Sequence, residues 1–158
     1  MEKSSILSRN QQELLYNIID YVEDTTYEKI FSHNDFVIIN YGLHDGIEPI
    51  YDWQTCGYSD PLWDIVSFEN AVIDEFIDYL YSDKFTQEMR VQYRQNIDIN
   101  TRKKRYILYK YVNILLIICV VSMGLSSKFW LNVGSEKDIL EHKKEQLKRL
   151  EPVVESVV

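Results

Sequence analysis

"SHNDFVIINYG", residues 32–42, decides how this chain is read. The polar triplet His33-Asn34-Asp35 runs straight into four apolar residues, Phe36 to Ile39, and a second amide, Asn40, closes the run. Taken alone, the stretch is open to two readings. It is a short strand with polar ends, or it is a loop that holds a proton acceptor and a metal ligand in fixed relation on either side of an apolar segment.

Working outward, "FVII" (36–39) and "EPIYDW" (48–53) are short, β-branched and aromatic, and "YGLHDG" between them carries the Gly and Asp that a turn needs. This pattern predicts a small hairpin. Upstream, Leu14, Leu15, Ile18, Ile19 and Val22 recur at helical spacing and predict a helix over 9–23. Downstream, Asp60-Pro61 suits an N-cap followed by the first helical residue. Leu62, Ile65, Val66, Val72, Ile73, Phe76, Ile77 and Leu80 then repeat at three and four, broken only by Glu69. Further helices are predicted near 84–95, 101–126 and 136–156, the last opened by the Ser-x-x-Asp capping signal of "SEKD". The fold class that follows is α+β but mainly α, with one small embedded hairpin.

At 158 residues and 46% hydrophobic, the chain has length for one domain, 1–158, with its own core. A formal charge of −8 offers no electrostatic footprint for nucleic acid or for an anionic membrane surface. The apolar run "ILLIICVV" (114–121) is shorter than the roughly 20 residues of a bilayer span and reads as the middle of a buried helix. Cys56 and Cys119 stand far apart, outside any Cys-x-x-Cys, so neither a zinc site nor a disulfide framework is indicated. With no secretory pattern in "MEKSSILSRNQQELL", the expected location is cytoplasmic.

The chemistry lies in the predicted hairpin. Asp35 and Asn40 are separated by "FVII", and Asp52 ends the second apolar stretch. Phosphoryl transfer needs such a set: one Asp to accept the proton of the attacking hydroxyl, and an Asn and a second Asp to hold magnesium against the phosphate charge. Magnesium is a hard cation and takes oxygen ligands, which Asn and Asp provide.

Here a resemblance becomes specific. "HNDFVIIN" resembles the catalytic loop of the aminoglycoside phosphotransferase and choline/ethanolamine kinase superfamily, His-Gly/Asn-Asp-x-x-x-x-Asn, the His-Asn-Asp form being more typical of choline and ethanolamine kinases. "YDWQTCGYSDPLWDIVSF" (51–68) is similar to that superfamily's metal-binding segment, in which Asp-Trp or Asp-Phe precedes Gly-x-x-Asp-Pro-x-x-Asp-Leu/Ile. The resemblance implies the helical C-terminal lobe of a protein-kinase-like fold, with Asp35 as catalytic base and Asn40 and Asp52 as Mg2+ ligands. It implies that His33 and Asp64 support the loop, that Asp60 caps the helix it begins, and that ATP is the co-substrate. The acceptor it implies is a small-molecule alcohol that carries positive charge, such as choline or an aminoglycoside. Trp53, Tyr58 and Trp63 flank the motif and are candidates to hold that charge by cation–π attraction.

The resemblance is to the C-terminal lobe alone. Only 32 residues precede His33, whereas an ATP-binding lobe of five strands and a helix needs on the order of 70–90. The five glycines form no Gly-x-Gly, and Lys3 and Lys29 are the only lysines before the motif. The N-terminal lobe is therefore expected to be absent, and self-association or a partner supplying that lobe is expected in its place. Two residues depart from the family pattern: Gln54 stands where many members carry Glu after the Asp-aromatic pair, and "FVII" replaces a more polar segment. The first departure supports an alternative, a non-catalytic, pseudokinase-like binding module on the same fold.

Overall fold

The structure is a computed structural model and describes residues 6–25, 27, 29–37, 40, 49–71, 99–124 and 135–158. Its elements in chain order are α1 (Arg9–Asp24), β1 (Ile30–Ser32), β2 (Gly57–Ser59), α2 (Pro61–Ala71), α3 (Ile99–Ser122) and α4 (Glu136–Glu155). The chain divides into two compact units, one formed by Met1–Thr26 with Ile107–Val158 and the other by Tyr27–Tyr106.

The first unit is helical. Ser8 opens α1 with a capping box, its hydroxyl accepting from Gln11 N while Gln11 Oε1 accepts from Ser8 N. Ser135 and Asp138 form the same device at the start of α4, as "SEKD" predicts. Leu14 and Ile18 from α1, Leu108, Tyr111, Ile114, Leu115 and Ile118 from α3, and Leu147 and Val154 from α4 make one apolar cluster. Lys104–Ser122 is long and apolar enough, by length and composition, to cross a membrane; its apolar residues include much of this cluster. A polar tie runs beside the cluster. The Tyr111 hydroxyl donates to Glu151 Oε1 at 3.4 Å, and Gln11 Nε2 donates to the same oxygen at 3.0 Å. Burial, with the Glu151 charge beside it, pushes the Tyr111 phenol well above its ordinary pKa.

The second unit holds the small sheet. β1 and β2 pair antiparallel, with Ile30 opposite Ser59, Phe31 opposite Tyr58 and Ser32 opposite Gly57. This corrects the predicted hairpin strands. Phe36 and Val37 are not in a strand, Ile50 makes only an isolated bridge, and Trp53–Thr55 is a 3-10 turn. Val37 N bonds to Asp35 O and Asn40 N bonds to Val37 O, turn bonds that take these two residues out of a strand ladder, while Ile38 and Ile39 lie outside the described residues. The predicted turn 41–46, the stripe from Val72 to Leu80 and the helix near 84–95 lie outside the described residues.

Helix α2 starts where Asp60-Pro61 predicts. Asp60 Oδ1 accepts from Leu62 N at 3.0 Å, and Pro61 takes the first helical position, where a missing N–H costs nothing.

Candidate active site

β1 delivers the chain to a loop whose backbone is held on every side. His33 is buried, and the backbone N–H groups of His33 and Asn34 donate to the two oxygens of Asp64 at 2.8 and 2.7 Å. Asn34 sits in the left-handed region at φ 67°, where a β-carbon is costly and Asn is better tolerated than most residues. Its side chain repays that position. Asn34 Nδ2 donates to Thr55 O at 3.1 Å, Oδ1 accepts from the Ser59 hydroxyl, and the Asn34 carbonyl accepts from Trp63 Nε1 at 3.1 Å. The middle residue of the triplet is thus a brace between the loop, β2 and α2.

The His33 ring is held at both nitrogens. Nδ1 accepts from Asp35 N at 3.2 Å, which assigns the proton to Nε2, and Nε2 donates to Tyr51 O at 2.7 Å. Thr55 Oγ1 donates to the His33 carbonyl at 3.1 Å. His33 therefore joins the two motifs.

Asp35 and Asn40 are brought together directly. Asn40 is buried, and its Nδ2 donates to Asp35 O at 2.9 Å and lies 3.4 Å from Asp35 Oδ2, while the Asp35 side chain is exposed. With the amide nitrogen turned to Asp35, the side-chain oxygen Oδ1 of Asn40 is, among the described residues, the atom left for another ligand. Asn40 O accepts from Tyr51 N at 2.7 Å, so the residue next to Asp52 is bonded to the residue that ends the first motif. Asp52 itself is exposed, adopts φ 60° and ψ 59°, and makes no side-chain bond to the turn it begins. Among the described residues, Asn34 and Asp52 are the non-glycine positions with positive φ, one in each motif. Oxygen donors on Asn40, Asp52 and Asp35 are the hard ligands that Mg2+ takes, so the residues present fit that ion by type.

The supporting carboxylates differ in surroundings. Burial raises the Asp64 pKa above its ordinary value, and the backbone bonds from His33 and Asn34 oppose that rise. Asp60 is buried and pairs with Arg105, whose Nε reaches Asp60 Oδ2 at 2.8 Å. Arg105 is a residue that sequence reasoning missed.

Two of the three candidate aromatics share a neighbour. Trp53 lies near parallel to Phe31 at 6.2 Å and 4.8 Å from the His33 ring, and Tyr58 meets Phe31 edge-on at 5.9 Å. Phe31, Trp53 and Tyr58 are all exposed, at 56%, 43% and 75%, and so make an open aromatic face. Trp63 is used differently, through its bond to the Asn34 carbonyl. Phe31 is the shared element that the sequence left unmarked; its one signal is its register opposite Tyr58.

No protein-family model matches the sequence, and no curated protein does. Among solved structures, the chain is similar to the crystal structure of a choline/ethanolamine kinase family protein from Mesorhizobium loti, with a TM-score of 0.61 and 16% identity. The match covers 94% of this chain and 48% of that one, so the chain spans about half the length of its structural neighbour. At that identity the likeness speaks for the fold: the chain has a kinase-like fold, mostly helical with a small antiparallel sheet.

Proposed function

We propose that this chain is the loop-bearing, C-terminal lobe of a small-molecule kinase that moves the terminal phosphoryl group of ATP to a hydroxyl of a small cationic alcohol such as choline or an aminoglycoside. The observation that carries the reading is the exposed Asp35 carboxylate, held beside the buried Asn40 amide on a loop clamped by Asp64. Asp35 accepts the proton of the attacking hydroxyl, and the loop's bonds hold it in one place, which is most of what this reaction asks of a protein. Asn40 Oδ1 and the Asp52 carboxylate are the residues that would hold Mg2+. When bound, the ion supplies charge neutralisation at the phosphate oxygens. The exposed Trp53 and Tyr58 rings offer π faces to a substrate cation, each worth about 0.5–2 kcal/mol. Contacts to the rest of the nucleotide come from a second lobe, in the same polypeptide, in a partner or in a second copy.

Calorimetric titration with Mg-ATP, with and without choline, tests the reading. Wild-type chain binds, and Asp52→Asn, chosen because Asn tolerates the left-handed backbone at φ 60°, weakens binding by on the order of 10–100-fold. An Asp52→Asn chain that binds as wild type does would remove Asp52 from the site. Absence of binding by the wild type would favour the second reading, the non-catalytic module, which Gln54 supports because it places an amide where a carboxylate is usual in the superfamily.

A further inference from the structure

Arg105 is 0% exposed, and among the described residues only one of its nitrogens is used: Nε donates to Asp60, while Nη1 and Nη2 are buried with no hydrogen-bond partner there. As a stabilising device this is poor. A buried ion pair is often matched or bettered by apolar residues of similar volume, and each buried donor left unmade carries its own desolvation cost. What the pair does well is orient. The Tyr27 ring covers the guanidinium with its centroid 5.2 Å from Cζ, and Asp60, fixed at Oδ2 by Arg105, uses Oδ1 to hold Leu62 N in the first turn of α2. Asp64 lies in that same first turn and holds the backbone of His33 and Asn34.

We propose that Arg105 is a positioning residue for the 33–35 loop: by locking Asp60 it sets the direction of the first turn of α2, and through that turn the reach of Asp64 to the two loop amides. Its consequence for phosphoryl transfer rests on the proposed function, but the positioning itself does not. A purely structural Arg105 would share its loss with the whole unit; a positioning Arg105 shows its loss at the loop.

The test is native-state hydrogen exchange by NMR on the full chain, with global unfolding measured in parallel. Arg105→Met strips one partner from a buried pair; Arg105→Met with Asp60→Asn removes both charges and leaves a side-chain oxygen to cap Leu62 N, so it keeps the fold. In the double variant, global stability is expected to equal or exceed that of the wild type, while protection of the His33 and Asn34 amides falls about tenfold or more relative to amides within α2. Arg105→Lys, which restores charge but not the planar fork, returns part of that protection. Loop protection that stays at the wild-type level in the double variant, or that falls only in step with global stability, overturns the proposal. A wild-type chain that binds no Mg-ATP would sink the functional reading and leave the exchange result to judge Arg105 alone.

Discussion

The described residues of the two units are held by different physics. In the unit of Met1–Thr26 and Ile107–Val158, the cohesion among the described residues is mainly apolar: side chains from three helices meet in one cluster, and its aliphatic members could be exchanged for other apolar residues of similar volume at modest cost. Among the described residues of Tyr27–Tyr106, the contacts that set the loop are directed bonds with one geometry each, from Asp64 to two backbone amides, from His33 to Tyr51, from Asn34 to three partners and from Arg105 to Asp60. Where burial holds a structure, many sequences will serve. Where a bond holds it, the residue type matters.

Mutation should separate the two units, and the largest effect is expected in the apolar one. Ile114 is fully buried in the cluster, and Ile114→Ala should lower global stability by about 2–5 kcal/mol in urea unfolding. A loss below 1 kcal/mol would mean that the cluster is looser than the packing implies. In the polar unit, Asp64→Ala leaves two loop amides without their acceptor and should cost about 1–3 kcal/mol. Its signature is different: exchange at His33 and Asn34 should rise far more than exchange in α4, and equal rises in both would erase the contrast.

The smallest effect is in pH. Asp138, at the start of α4, is held below its ordinary value of 3.8 by bonds from the Ser135 hydroxyl and backbone, so its contribution is present above that value and is lost as pH falls through the lowered one. Asp64 runs the other way. Its pKa is raised above 3.8 by burial, so its contribution is present below that value and is lost as pH rises through the raised one. Acid titration followed by exchange should therefore loosen the first turn of α4 without a matching loss at the His33 and Asn34 amides. Loosening of the loop first would reverse the assignment of these two carboxyls.

How far sequence reading reached follows the same division. The helices were legible because their signals repeat: α1 came from five apolar residues at helical spacing, and α2 and α4 came from a capping residue beside the first turn. The spacing of Asp35 and Asn40 was legible too, and the Asn40 amide does reach back to Asp35. The strands were not, since three residues, Ile30–Ser32 or Gly57–Ser59, are too few to show an alternating pattern, while Val37, a strand-forming residue by type, is held in turn bonds to Asp35 and Asn40. Arg105 closes the run Arg102-Lys103-Lys104-Arg105, where nothing in residue type tells a buried cation from an exposed one such as Lys104. Phe31, which meets both Trp53 and Tyr58, was likewise not legible, because register and not proximity in sequence sets ring contacts.

By itself, then, the sequence determined what a short reach of chain can decide: where helices begin, which helix faces are apolar, and in what order the candidate site residues stand. Those outcomes depend on side chains three or four positions apart, whose interactions exist before the chain has closed. Only the tertiary structure decided that Asp64 grips a backbone 30 residues upstream and that Asp60 finds Arg105 45 positions away. Such bonds are made only after loop closure has been met by the burial of everything around them, and so no local pattern announces them.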